Sequence, residues 1–179
     1  MRCKKRKALQ SKKDHLQEQF NSLVSDYKVR LYWHIRRMVV SHDDADDVLQ
    51  NTFIKVFKNL ENFKGKSQLY TWLYRIATNE SLTFLKKKAR RLQISDEQLQ
   101  THLTDNLRSD PYFDGDEVQE KLQNAINTLP QRQKQVFLLK YYEELPYNEI
   151  SKILETTEGS LKASYHHAVK KITKYVTEH

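Results

Sequence analysis

Three residue types that shape many folds are scarce in this chain of 179 residues. It has one cysteine, three glycines and three prolines. A single thiol, Cys3, excludes an intrachain disulfide and a cysteine-rich zinc site. So few turn-forming residues argue against a sheet-rich fold with many tight turns. No run of about 18 apolar residues occurs, so the sequence predicts no transmembrane helix.

Signals for catalysis are also missing. No glycine-rich phosphate loop is present, so nucleotide hydrolysis is not indicated. An acidic run at 43–47 is accompanied by no histidine and no second acidic cluster at metal-ligand spacing, and a helix start accounts for it. We therefore expect no catalytic residue, metal, cofactor or small-molecule substrate, and an enzyme acting on nucleic acid has little support.

What the chain has is positive charge, unevenly distributed. Its formal net charge is +8, which favours a polyanionic partner but also fits an ordinary soluble basic protein. Residues 92–120 run against this trend, with eight acids and one base. Turn signals at 109–111 and 114–116, together with weak periodicity, mark this acidic segment as a linker.

This charge pattern predicts two helical domains. We expect a basic, frayed tail at 1–14, a first domain at 15–91, a flexible acidic linker at 92–117 and a second domain at 118–179. No apolar core follows the basic tail, so we expect no secretory signal.

Helical periodicity runs through the first domain. Apolar residues at i, i+3 and i+4 predict a helix from about His15 to Val39. Ser41 begins a second helix, with acids near its positive dipole end, and Ser67 is expected to cap a third that runs to about Arg91. The stripe expected to be buried in the second helix comprises Ala45, Val48, Leu49, Thr52, Phe53, Val56, Phe57 and Leu60.

A second face of this middle helix carries Asp47, Gln50, Asn51 and Ile54 at i, i+3, i+4 and i+7. It is polar, yet it contains an apolar residue that a solvated face would not usually carry. A partner-binding surface and a solvated surface both fit this pattern.

Aromatic and basic side chains interleave in the third helix. Tyr70, Trp72, Tyr74 and Arg75 crowd its first two turns, and a basic cluster at 86–91 closes it. Rings that stack on bases, beside cations that meet phosphates, suit single-stranded nucleic acid. Alternatively, the aromatic residues belong to the core and the cations stabilise the helix end through its dipole.

The second domain contains a helix-turn-helix pattern. Helices are expected from Val118 to Leu129, ending before Pro130, and from Gln131 to Tyr142, with Tyr141 and Tyr142 in the core. An apolar stripe at 150–154, a polar break and a new helix from near Thr157 then follow. In a helix-turn-helix the second helix enters the DNA major groove. A plain αα-hairpin within a bundle also fits this window.

Two blocks resemble bacterial RNA polymerase sigma factors of the extracytoplasmic-function group (group IV). The segment at 43–91, DDADDVLQNTFIKVFKNLENFKGKSQLYTWLYRIATNESLTFLKKKARR, is similar to their region 2. The segment at 129–171, LPQRQKQVFLLKYYEELPYNEISKILETTEGSLKASYHHAVKK, is similar to their region 4. The resemblance covers nearly the whole chain, and the two blocks stand in the family's order.

The resemblance implies a non-catalytic initiation factor with a helical fold. Such a protein binds core RNA polymerase at the β′ clamp and β flap, directs it to the −35 and −10 promoter elements, and promotes melting. It is often controlled by an anti-sigma factor. We therefore expect a cytoplasmic protein, nucleoid-associated with polymerase or held at the membrane by an anti-sigma factor. The alternative is a free-standing helix-turn-helix regulator.

The resemblance also implies roles for particular residues. Asn51 stands where the family often has glutamate, and Lys162 is the one permanent cation among the positions expected to face the −35 element. Core polymerase binding is expected from Asp47, Gln50, Asn51 and Ile54. Recognition and melting of the −10 element are expected from Phe63, Lys64, Lys66, Ser67, Tyr70, Trp72, Tyr74, Arg75 and Asn79. The −35 element is expected to meet Ser160, Lys162, Ala163, Ser164, His166 and His167. Phosphate contacts are expected from Lys86, Lys87, Lys88, Lys170 and Lys171.

Overall fold

Helices make up the ordered structure of this protein. The computed structural model describes residues 2–63, 65, 67–95, 98–99, 101–103 and 117–178, with side chains from residue 13 onward. Within these ranges no strand occurs, which confirms the all-α prediction. The helices are α1 Arg2–Val39, α2 His42–Leu60, α3 Leu69–Leu92, α4 Glu117–Asn127, α5 Gln131–Phe137, α6 Tyr147–Leu154 and α7 Glu158–Glu178. Residues 98–99 and 101–103 are also helical, and a π-helical turn, Leu138–Tyr142, continues α5.

Local capping chemistry fixes some helix starts and not others. The Ser41 hydroxyl accepts a hydrogen bond from the Asp44 amide at 3.4 Å, as predicted. The expected cap at Ser67 is wrong, because Gln68 precedes α3 and makes no side-chain cap bond. Helix α1 begins at Arg2 rather than near His15, in a segment rich in strong helix formers.

The first three helices pack against one another and form the N-terminal domain. Its core joins one face of each helix, so the i, i+3, i+4 stripes meet as predicted. Phe57 is the exception in the α2 stripe, since it is substantially exposed. The buried apolar side chains of this domain include Leu23, Leu31, Ile35, Val48, Leu49, Val56, Leu60 and Leu73.

Helices α4 to α7 form the C-terminal domain, in which α7 packs on α4, α5 and α6. Its core is completed by the π-helical turn, where Leu138 and Leu139 are fully buried. Tyr142 is half-buried, but Tyr141 is exposed, which corrects its assignment to the core. Other buried residues here are Ile126, Leu129, Val136, Ile150, Leu161 and Ala168.

The two domains touch each other. Helix α3 packs on α6, and α1 meets the π-helical turn. Part of the predicted linker lies against the N-terminal domain, because Leu99 and Leu103 pack with Val40 and Ala89 in a small separate cluster. Residues 96–97, 100 and 104–116 of the predicted linker lie outside the described residues, so its expected flexibility stays a prediction.

Candidate nucleic-acid and partner interfaces

The face of α2 singled out from sequence is accessible. Asp47, Gln50, Asn51 and Ile54 are all exposed, and 50% of the Ile54 surface is accessible to solvent. The Asn51 amide donates to the Asp47 carbonyl oxygen at 2.9 Å, so part of its hydrogen-bonding capacity is used within the helix.

Beside this face runs an apolar groove between α1 and α2, here called the α1–α2 groove. Its volume is about 550 Å³. Phe20 of α1 meets Phe57 of α2 edge to face, with ring centroids 5.0 Å apart. Two residues of the predicted face, Gln50 and Ile54, form one wall. The full lining is Gln17, Phe20, Val24, Gln50, Phe53, Ile54, Phe57 and Lys58.

A second concavity, here called the aromatic pocket, lies where α2, the following loop and α3 meet. It also measures about 550 Å³. The Phe63 and Trp72 rings face each other there, with centroids 5.0 Å apart and an interplanar angle of 34°. Arg75 lies beside the rings and forms an ion pair with Glu155. The lining residues are Lys55, Asn59, Asn62, Phe63, Ser67, Trp72, Arg75 and Ile76.

The loop that borders the aromatic pocket turns at Gly65. Its φ of +66° lies in the left-handed region, where other residues are strained. The flanking Lys64 and Lys66, both predicted to meet the −10 element, lie outside the described residues. Asn79 is exposed on α3, four residues after Arg75 and therefore on the same side of the helix.

Two tyrosines predicted to meet the −10 element lie outside the pocket lining. Tyr70 is half-buried and packs against the main core. Tyr74 is fully buried, with its ring edge-on to His34 at 5.1 Å and its hydroxyl donating to Glu143 of the C-terminal domain. In this arrangement Tyr74 is a domain-contact residue, which corrects its placement on a nucleic-acid surface.

The helix-turn-helix consists of α6 and α7. Glu155 adopts a left-handed conformation with φ of 51° and ends α6. The Thr157 hydroxyl accepts from the Ser160 amide at 3.3 Å, which places the start of α7 where the sequence predicts it. One face of α7 is buried against the rest of the C-terminal domain, and the opposite face is exposed. Exposed on the outer side are Ser160, Lys162, Ala163, His166 and His167, with Ser164 half-buried.

The cations expected to meet phosphates divide into two groups. Lys86, Lys87, Lys170 and Lys171 are exposed. Lys88 is mostly buried and forms an ion pair with Asp44 at the start of α2. Since this pair ties α3 to α2 within the domain, Lys88 is committed to the fold, which corrects its assignment as a phosphate contact.

Sequence reasoning missed several residues of these two concavities. Phe20 and Phe57 complete the α1–α2 groove, although periodicity assigns both to the core. Lys55, Asn59 and Asn62 also line the aromatic pocket, and since Lys55 and Asn59 are spaced at i and i+4 on α2, periodicity could have found these two. Their connection to α3 could not be found this way, because it depends on how the loop folds back.

Among the described residues no helix has both the length and the apolar character needed to cross a bilayer. No cluster of three histidine, cysteine, aspartate or glutamate side chains there is arranged to hold a metal ion.

Comparison with protein families gives two matches in chain order. Residues 23–91 match Sigma-70 region 2, and residues 119–172 match Sigma-70 region 4. The first match contains the α2 face and the aromatic pocket, and the second contains the helix-turn-helix.

Curated relatives align over most of their length. The chain is 32% identical over 152 residues to the ECF RNA polymerase sigma-E factor of Haemophilus influenzae, covering 80% of each chain. It is 29% identical over 170 residues to SigW of Bacillus subtilis, covering 90% of this chain and 91% of the relative. The Escherichia coli sigma-E factor is 30% identical, with 82% and 81% coverage.

Solved structures share the fold. The sigma factor RpoE of Bartonella quintana, in complex with the anti-sigma factor NepR, has a TM-score of 0.71 at 18% identity and covers 89% of this chain and 98% of its own. CnrH, in complex with the cytosolic domain of CnrY, has a TM-score of 0.66 at 20% identity, with 90% coverage of both chains.

Proposed function

Because this chain belongs to the extracytoplasmic-function family of RNA polymerase sigma factors, which direct the enzyme to promoters, we propose how its surfaces divide that work. The α2 face and the α1–α2 groove bind the β′ clamp of core polymerase. The observation that carries this assignment is the exposed Ile54, which borders an open apolar groove between polar residues.

Binding at this groove has a clear physical basis. Apolar side chains that enter a hydrophobic groove lose contact with water, and a few such anchors supply most of the free energy of an interface. The polar residues at its border, Asp47 and Gln50, would set orientation and register. The β flap would meet the C-terminal domain.

The aromatic pocket suits an unpaired base of the −10 element. Stacking on an aromatic ring contributes about 1 to 3 kcal/mol per base, and extruding a base from the duplex costs a few kcal/mol. Phe63 and Trp72 supply the rings, while Arg75 is placed to meet a phosphate. The pocket would therefore offset part of the cost of opening the promoter.

The outer side of α7 suits the −35 element. Lys162 is exposed near the start of the helix, where helix-turn-helix proteins contact base edges. The neighbouring Ser160, Ser164, His166 and His167 offer further hydrogen-bonding groups. Lys170 and Lys171, two turns further on, are placed for phosphates, which position the protein without reading sequence.

Run-off transcription tests this function. Purified protein and core polymerase are incubated with a library of genomic promoter fragments, and transcripts are mapped. We expect defined start sites with both components and none with either alone. Specific, tight DNA binding without polymerase, and no transcripts with it, would instead identify a free-standing helix-turn-helix regulator.

The remaining aspects of the proposal follow from this role. The chain acts as a non-catalytic subunit, with no cofactor of its own, and works in the cytoplasm where polymerase and promoter DNA are found. Control by an anti-sigma factor is part of the proposal. The resemblance in fold to a sigma factor solved with an anti-sigma factor supports the search for one by co-purification from cells.

A further inference from the structure

Two lysines of the C-terminal domain place their ammonium groups near the ring of Tyr147, the first residue of α6. Nζ of Lys162, in the second turn of α7, lies 5.7 Å from the ring centroid. Nζ of Lys140, in the π-helical turn, lies 5.3 Å from it. A cation within about 6 Å of an aromatic centroid is attracted by the negative face of the ring. The Tyr147 ring therefore attracts a lysine that is expected to face the −35 element.

The Tyr147 ring is carried on a well-anchored segment. Pro146 precedes it, and the Pro146 carbonyl oxygen accepts hydrogen bonds from the amides of Glu149 and Ile150, at 3.0 and 3.1 Å. The proline ring fixes the backbone at this point. Ile150 is fully buried, and the Tyr147 ring itself packs against the main core. The position of the ring is therefore set before any DNA is bound.

The two lysines are restrained differently. Lys140 Nζ also donates to the Leu145 carbonyl oxygen at 3.3 Å, so this lysine has a second partner within its own domain. Lys162 is exposed, and within the described ranges no ion pair holds it, although Glu158 precedes it by four positions on the same helix. The Tyr147 ring is therefore the neighbour that restrains the ammonium group of Lys162.

Tyr147 acts on this lysine as an uncharged ring. Burial and the nearby Tyr165 raise the pKa of Tyr147, so its hydroxyl stays protonated at neutral pH. The attraction then comes from the ring face and depends on where the cation lies, whereas a phenolate charge would attract a cation from any side. Phenylalanine at this position would keep the attraction, and leucine would remove it.

A lysine near the start of a recognition helix has two kinds of DNA partner within reach. Its ammonium group can donate to O6 and N7 of guanine in the major groove, or it can turn to a phosphate, which carries no sequence information. The flexible four-carbon stem of lysine allows both. Leu161 is fully buried and fixes the rotation of α7, so the direction of the Lys162 side chain decides between the two partners.

We propose that Tyr147 is a positioning residue for the −35 element, whose ring holds the ammonium group of Lys162 where it meets a base edge and away from the phosphates. This inference rests on the proposed function, since it takes the outer side of α7 as the surface that reads the −35 element. Part of the sequence preference of α7 is then set by a residue of α6 that acts through Lys162.

The first test measures the contact in the free protein, without polymerase or DNA. Protein carrying ¹³C-labelled lysine is compared by NMR in the natural, Tyr147→Phe and Tyr147→Leu forms, and Lys162→Ala identifies the Lys162 signals. Protons above an aromatic ring resonate at lower frequency. The ε-methylene protons of Lys162 should show this shift in the natural and Tyr147→Phe proteins and lose it in Tyr147→Leu. An unshifted Lys162 signal in the natural protein would overturn the proposal.

The second test measures initiation with core polymerase on promoters that differ at single −35 positions, in a double-mutant cycle. Tyr147→Leu should reduce the preference at one base pair about 2- to 5-fold, the range of an exposed cation–π contact. It should cause no further reduction in a Lys162→Ala background. Tyr147→Phe should keep the natural preference. The salt dependence of binding should be the same in Tyr147→Leu and the natural protein, because no charge is removed.

Lys140→Met is the matched control, because it removes the other cation from the same ring. Its base preference should equal that of the natural protein, and Tyr147→Leu should still reduce the preference in this background. A merely structural role for Tyr147 predicts a different result. Tyr147→Leu would then lower initiation equally on every −35 variant, with or without Lys162, and this outcome would refute the positioning role.

The two tests distinguish this inference from the proposed function. If the natural protein gives no transcripts with core polymerase, the proposed function fails, even where NMR shows the contact between Tyr147 and Lys162. If transcripts appear and the cycle shows no coupling between the two residues, the proposed function stands and the positioning role of Tyr147 is wrong.

Discussion

Lys134 of the C-terminal domain donates a hydrogen bond to the main-chain carbonyl oxygen of Met38 in the N-terminal domain, at 3.2 Å. The ammonium group also donates to Asn127 Oδ1 at 2.9 Å, and only 8% of the residue is exposed. Neither acceptor carries a charge. Burial therefore lowers the pKa of Lys134 to about 7, so the two domains enclose an amine that is only partly protonated at neutral pH.

The first prediction concerns the pH dependence set by Lys134. Its pKa is about 7 when folded and about 10.4 when unfolded, so between these values the unfolded chain binds more protons and stability rises with pH. The free energy of unfolding should increase by about 2 kcal/mol from pH 7 to pH 9, as measured by urea titration. Below pH 7 the free energy of unfolding lacks this contribution from Lys134.

Lys134→Met provides the matched comparison, because methionine fills a similar volume without a titrating group. Between pH 7 and pH 9 the free energy of unfolding of Lys134→Met should rise by about 2 kcal/mol less than that of the natural protein. Identical pH profiles in the two proteins would show that Lys134 keeps its ordinary pKa.

The second prediction concerns the α1–α2 groove. Ile54→Asp places a charge on the wall of the groove and should weaken binding to core polymerase by about 2 kcal/mol, the loss typical of an interface anchor. Val29→Asp makes the same chemical change at a residue of α1 that is 64% exposed and does not line the groove. The polymerase affinity of Val29→Asp should stay near that of the natural protein. A similar loss of affinity in both variants would show that polymerase binds at another surface.

How far sequence predicts this protein depends on the range of the interaction. The Ser41 cap and the turn between α6 and α7 arise from residues within four positions of each other, and both are correctly predicted. Lys134 stands between two glutamines and has no local sign of burial, since its acceptor on Met38 is 96 residues away. Tyr74 is misplaced for the same reason: its partner Glu143 belongs to the other domain.

Ser67 and Lys88 show a different limit. Each has a plausible local role, as a helix cap and as a surface cation. In the structure Gln68 is the residue that precedes α3, and Lys88 forms an ion pair with Asp44. The local sequence is compatible with more than one residue preceding α3 and more than one role for Lys88. The packing of α3 against α2 determines which of these is adopted.

The third prediction concerns the aromatic pocket. Trp72→Leu keeps an apolar side chain but removes the large ring, so promoter opening should lose about 1 to 3 kcal/mol, the value of stacking one base. Permanganate reactivity of unpaired thymines, with polymerase present, measures the open fraction. Trp33→Leu is the control, since Trp33 is exposed on α1 outside the pocket. Equal opening in Trp72→Leu and the natural protein would remove Trp72 from base recognition.

The last prediction separates base reading from phosphate binding on α7. Lys162→Ala should reduce −35-dependent initiation by about 1 to 3 kcal/mol and relax the preference at one base pair, as loss of a base contact does. Lys170→Ala should instead weaken all promoters alike and reduce the salt dependence of binding by about one unit in slope. The measurement is initiation on a set of −35 variants at several salt concentrations. Both lysines are exposed on the same helix. We therefore expect the different effects of the two substitutions to come from where each lysine lies relative to the DNA major groove. If Lys162→Ala lowers initiation equally on every −35 variant, Lys162 also binds a phosphate, and other exposed residues of α7 must supply the sequence preference.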